Sequence, residues 1–146
     1  MEKQCVGIDV SKDHLDCCYG IIDSDQNTKF SKTKRFDNSK PGFVDLLKWV
    51  KSFKPDNSIT YVMEATGVYY EHLVYFLSDK NKSCSVLLPN VVNHFRKSIN
   101  IKTKTDNVDA EILSRIGLER KLETWQMPTK IMRDLRFLCR EYRELK

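Results

Sequence analysis

Glycine is scarce in this chain of 146 residues, with five in all. Loops that cradle nucleotide phosphates draw on glycine-rich, hydroxyl-bearing turns, and so few glycines argue against them. Cysteine is present five times, but no two cysteines make a Cys-x-x-Cys pair, and His14, His72 and His94 are scattered. That spacing gives a zinc site little support. It fits buried, reduced thiols in a cytosolic protein. The opening MEKQCVGIDV contains no apolar signal-peptide core, and no apolar run approaches the length of a membrane span. An intracellular, non-membrane protein is expected. Internal repeats and low-complexity segments are also missing.

What remains is an ordinary globular composition. Hydrophobic residues make up 40% and charged residues 31%, enough to bury a core in one domain without staples. The net charge of +5 permits a polyanionic partner without demanding one.

The first third alternates as strands do. QCVGID (4–9), LDCCYGIID (15–23) and the more polar KFSKTKRFD (29–37) form an expected three-strand meander, with turns at SKDH and DSDQN. Strands and helices then alternate. Phe43, Leu46, Leu47, Val50 and Phe53 have helical spacing behind a start at Ser39 or Lys40. SITYVMEA (58–65) reads as a buried strand, GVYYEHLVYFLSDKN as a helix, SCSVLLP (83–89) as a strand and NVVNHFRKSI as a short helix. A further helix carries Ala110, Leu113, Ile116 and Gly117 on one face. The order β-β-β-α-β-α-β-α fits a mixed five-stranded sheet with helices on both faces, as in the ribonuclease H-like fold. The actin-like ATPase fold starts the same way, but the residues following Asp9 are Val10, Ser11 and Lys12 rather than a phosphate-cradling turn. At the C-terminus, Ile131, Leu135, Leu138, Tyr142 and Leu145 step by four and three in a heptad seam among arginines. The expected division is a domain over 1–125 and the start of a coiled-coil arm over 126–146; a terminal helix packed on its own domain is the alternative.

Three acidic stretches bear on chemistry. Asp9 closes the first strand in GIDVSK, where an aspartate often only opens a turn. Glu64 follows Tyr-Val-Met, and a glutamate there has to be paired, metal-bound or exposed at the sheet's end. The Ala-Thr-Gly after it makes Thr66 a candidate helix cap. In KTKTDNVDAEIL (102–113), Asp106 suits an N-cap and Asp109 the acidic residue three further on, as in a capping box. The two also lie on one side of the helix's first turn and can aim at one spot. In the expected fold, Asp9 and Glu64 lie side by side at one edge of the sheet, with Asp106 and Asp109 brought over them. Four carboxylates in one place need divalent cations, and hard oxygen donors suit Mg²⁺ or Mn²⁺. Such metals align the oxygens of a phosphodiester displacement. Arg96, Lys97, Lys102 and Lys104, with Lys12 beside Asp9, supply positive charge for gripping phosphates.

GIDVSK at 7–12, EATGVYY at 64–70 and KTDNVDA at 104–110 resemble, in order and spacing, the DEDD transposases of the Piv/MooV invertase-like type, the insertion-sequence family numbered one hundred and ten. The resemblance runs from the first strand to the helix after Asp109, and the heptad arm has a counterpart there. It implies a RuvC-like domain of ribonuclease H type. Its acidic tetrad falls on Asp9, Glu64, Asp106 and Asp109, which would bind divalent metal and act in DNA strand cleavage and exchange. It also implies DNA and a structured non-coding guide RNA as partners, homo-oligomerisation through the arm, and a bacterial or archaeal cytoplasm. Members of the family continue through the coiled coil into a domain with a serine nucleophile. The 146 residues hold no counterpart of it, so an N-terminal module is expected. Two alternatives stand beside this reading: a stand-alone nuclease of the Holliday-junction resolvase kind, and a non-catalytic RNA-binding and dimerisation module.

Overall fold

The computed structural model describes residues 3–55, 59–98 and 106–126, together with Leu138 and Arg140. For residues 106–108 it describes the backbone alone. The alternating N-terminal segments form a hairpin of β1 (Lys3–Val10) and β2 (His14–Ile22), in register from Lys3↔Ile22 to Val10↔Leu15. At the following turn the Asp23 carboxylate accepts from the Asp25 and Asn27 N–H groups, both at 2.9 Å, and Gln26 takes a positive φ of 66°. This is the side-chain-to-backbone bonding that makes aspartate a turn former.

The third expected strand, 29–37, is two strands, β3 (Thr28–Phe30) and β4 (Lys34–Asp37), both paired with β2. Ser31 breaks it. Its hydroxyl accepts from the Tyr19 N–H at 3.0 Å while its own N–H donates to the Tyr19 carbonyl at 2.8 Å, so a side chain replaces a backbone acceptor in the ladder.

Helix α1 (Lys40–Lys51) starts where the sequence sets it. The Ser39 hydroxyl accepts from the Gly42 N–H, a proline occupies the first turn, and Phe43, Leu46 and Val50 are buried. Ser39→Ala is expected to lower unfolding free energy by about 1 kcal/mol, read from a shift in urea midpoint at constant m-value.

Strand β5 (Thr60–Glu64) runs parallel to β1, from Cys5↔Thr60 to Ile8↔Met63, and β6 (Ser83–Leu87) runs parallel to β5. Between them α2 spans Glu71–Asp79, starting later than its sequence pattern. Gly67 has a φ of +60°, which no α-helix continues through, and the chain turns at 67–70 before the helix begins. Thr66 is therefore not the cap: it is exposed, its N–H donates to the Glu64 carbonyl, and the capping position falls to Tyr70 without a side-chain bond. Helices α3 (Pro89–Ser98) and α4 (Asp106–Glu119) follow.

The sheet order is β3-β2-β1-β5-β6, with β4 also on β2, so β1 lies at the centre. Side-chain alternation then divides the core. Val6, Ile8, Leu15, Cys17, Tyr61 and Met63 pack with α1 and α2 on one face. Cys5 and Val62 pack with Val92 and Phe95 of α3 and with Ile112, Leu113 and Ile116 of α4 on the other. Strand β6 is not left bare at the edge: the Trp125 N–H donates to the Cys84 carbonyl at 2.7 Å, and the Ser85 hydroxyl donates to the Glu123 carbonyl at 2.9 Å. Cys5, Cys17, Cys18 and Cys84 are free and buried, and burial pushes the Cys5 and Cys84 thiols up to about 12. Cys139 lies outside the described residues. So does the heptad arm, apart from two helical residues: Leu138 is 57% exposed, and Arg140 grips the Glu71 carboxylate, with Nη1 at 2.6 Å from Oε2. No described helix is long and apolar enough to cross a membrane.

Candidate active site

Register alone brings the first two motifs together. The parallel pairing ends at Ile8↔Met63, so Asp9 and Glu64 are the next residues along two neighbouring strands, at their C-terminal ends. Asp9 alternates with Gly7 and Cys5, and Glu64 with Val62, so both carboxylates face the side on which α4 lies. Both are half-buried.

Helix α4 lies unusually close to the sheet there. A Cβ on Gly7 would fall 2.2 Å from the Ala110 carbonyl oxygen and 2.3 Å from the Ser114 nitrogen. The buried Ser114 hydroxyl donates to the Cys5 carbonyl at 3.2 Å. This approach carries Asp109 over the strand ends. The Glu64 carboxyl is raised above the usual glutamate range, first by burial and then by the neighbouring charge of Asp109, with Arg96 opposing both. Glu64, Asp109 and Arg96 therefore share one electrostatic site. Asp106 is the first residue of α4, and its side chain and the segment before it are outside the described residues, as is the capping role expected of it.

The basic residues divide. Arg96, in the last turn of α3, donates from Nη2 to Asp109 Oδ1, so it serves the acidic site directly. Lys97 and Lys12 are exposed, the latter in the β1–β2 turn just past Asp9. Lys102 and Lys104 lie outside the described residues.

Two contributors were not singled out in the sequence. Asp16 pairs in register with Asp9, and Arg35 of β4 pairs in register with Asp16. One level of the sheet thus reads Arg35, Asp16, Asp9, Glu64. Arg35 holds Asp16 in a fork, with Nε at 2.8 Å from Oδ1 and Nη2 at 3.2 Å from Oδ2. The signal was available: a short SKD turn between strands sets Asp9 opposite Asp16 once the hairpin is assumed.

Among the described residues, no three His, Cys, Asp or Glu side chains are gathered into a ready metal cage. The donors nonetheless suit a hard divalent ion: carboxylate oxygens, with burial and then the charge of Asp109 raising the Glu64 carboxyl, and an arginine as the cation beside them. Chemically, such a row at the open end of a sheet can orient phosphate oxygens around a cation.

A family model described as a transposase, of the DEDD type of insertion sequence IS110, matches residues 6–146. The pilin gene-inverting proteins of Moraxella lacunata and Moraxella bovis are each 32% identical over 127 residues, which is 86% of this chain and 38% of theirs. The chain thus spans well under half the length of these relatives. In three dimensions the chain is similar to Thermus thermophilus RuvC, both by itself and in complex with Holliday junction substrate. Each match has a TM-score of 0.56 and covers 84% of this chain and 99% of the other, at 11% and 12% identity. The fold is accordingly RuvC-like and of ribonuclease H type: a mixed sheet of six strands flanked by helices.

Proposed function

This chain belongs to the IS110-type DEDD transposase family, and on that footing we propose that it is the catalytic module of a DNA recombinase, cleaving and exchanging strands with Asp9, Glu64, Asp106 and Asp109 around divalent metal. One observation carries the reading: Asp9 and Glu64 stand level at the ends of adjacent parallel strands, with Asp109 of α4 near enough for its charge to act on Glu64. Mg²⁺ or Mn²⁺ would be held by these carboxylates and would supply charge for activating and stabilising phosphodiester oxygens. The chain's own share is to fix the carboxylates at one level. Arg96, Lys97, Lys102, Lys104 and Lys12 add positive charge for the DNA backbone.

Family membership supports the finer parts of this proposal without fixing them. They are a structured guide RNA as a second partner, residues 1–125 as the catalytic domain with an arm from 126 that joins copies of the chain, and a cytoplasmic setting in a bacterium or archaeon.

The test is Mn²⁺ titration of the purified chain. Asp9→Asn is expected to weaken binding at least about tenfold, since losing a ligand costs no less than losing its outer-shell support, with little change in circular dichroism. Undiminished binding by Asp9→Asn and by Glu64→Gln alike would sink the metal assignment. Cutting of a four-way DNA junction by the purified chain alone would make it a resolvase-like nuclease instead.

A further inference from the structure

The two arginines beside the acidic row hold their carboxylates differently. Arg35 meets Asp16 in a fork, with Nε and Nη2 each engaged, and its own side chain is 54% exposed. That geometry suits a permanent pair. Arg96 meets Asp109 through Nη2, while its Nε is buried with no hydrogen-bond partner among the described residues. Its side chain is only 19% exposed. Among the described residues, Arg96 is thus tied to its carboxylate by fewer bonds than Arg35 is. What the position does provide is a positive charge beside two carboxylates that belong to the candidate metal site, namely Asp109 and, one step further, Glu64.

We propose that Arg96 is the counter-ion of the metal-free site, neutralising Asp109 until a divalent cation takes that carboxylate and competing with the cation for it. The inference rests on the metal reading given above. It accounts for a guanidinium seated on one of the expected metal donors. A scaffold role makes the opposite prediction. If Arg96 merely oriented Asp109 for the metal, removing it would weaken binding. If it competes, removing it strengthens binding.

Mn²⁺ affinity of the purified chain, followed by loss of the free-ion electron paramagnetic resonance signal at low salt, separates these. Arg96→Gln is expected to bind at least about tenfold tighter than the unaltered chain, the floor set by removing one positive charge about 6 Å from a divalent ion even at the dielectric of bulk water. Arg96→Lys, which keeps the charge, is expected to stay within about threefold of it. Without metal, the glutamine variant is expected to melt lower, because Asp109 and Glu64 then face each other with less compensation. Arg96→Met keeps the packed stem and serves if the glutamine variant does not fold, with the same gain expected. Equal or weaker binding by the uncharged variants overturns the counter-ion role while leaving the metal reading intact. Absence of Mn²⁺ binding by the unaltered and uncharged chains alike overturns both.

Discussion

Gly7→Ala is expected to lose about 3 kcal/mol of stability, and Gly7→Val to leave no cooperative unfolding transition. The added Cβ meets the Ala110 carbonyl oxygen at 2.2 Å and the Ser114 nitrogen at 2.3 Å. Both are backbone atoms of α4, so no side-chain rotamer can yield; the helix must lift from the strand. Overpacking usually costs 1–3 kcal/mol, and a collision with backbone belongs at the upper end. Lifting α4 also opens the face where Cys5, Val62, Ile112, Leu113 and Ile116 are buried, against a total stability of about 5–15 kcal/mol for a domain. Gly67→Ala provides the contrast. Gly67 has a positive φ but nothing closer than the Tyr69 ring at 3.8 Å, so its cost is backbone strain alone, about 1–2 kcal/mol. Urea unfolding of both variants reads the difference. A cost below about 1 kcal/mol for Gly7→Ala would mean that α4 does not lie on β1 as described.

That close approach explains what the sequence could and could not say. Alternation and helical spacing locate β1, β2, β5, β6, α1 and α3 to within a few residues, because their buried faces are regular: Val6 and Ile8 in β1, Phe43, Leu46 and Val50 in α1. The split of 29–37 was not legible, since it depends on one hydroxyl, that of Ser31, finding the Tyr19 N–H across the sheet. The late start of α2 is not legible because Gly67 fits a helical pattern in sequence that its left-handed φ interrupts. Asp9 and Glu64 were legible as a pair because parallel register follows from element order. Asp16 does not stand out locally because its neighbours in LDCCYG are mostly apolar, and Arg35 because it is one of several cations in KTKRFD. In sequence, Arg96 belongs to a basic run suited to gripping phosphates. Its seat on Asp109 depends on how α3 packs beside α4, and no local pattern encodes that.

Under the proposed recombinase role, Glu64→Gln is expected to lower metal-dependent DNA cleavage by at least about a hundredfold, while making the metal-free chain more stable at neutral pH. The first effect follows from the proposed ligand role, in which the ion loses a charge it requires; even supporting groups around metal ligands cost ten- to a hundredfold. The second follows from the sign of the Glu64 shift. Burial, then the charge of Asp109, raises its carboxyl above the ordinary glutamate value, and Arg96 only partly offsets them. A carboxyl raised on folding favours the folded state while it is protonated, and that contribution is lost as pH rises through its folded value. At neutral pH the ionised group is therefore a net burden, and glutamine, uncharged and nearly the same shape, relieves it. Melting curves in a chelator are expected to show the variant above the unaltered chain at pH 7. The gap should close as pH falls below the ordinary glutamate range, where both side chains are neutral. Adding Mn²⁺ at pH 7 is expected to reverse the order, because only the glutamate gains a cation to offset its charge. A variant less stable than the unaltered chain in chelator at pH 7 would mean that Glu64 is paired for structure, and that the carboxylates at this sheet edge are not held in reserve for a metal.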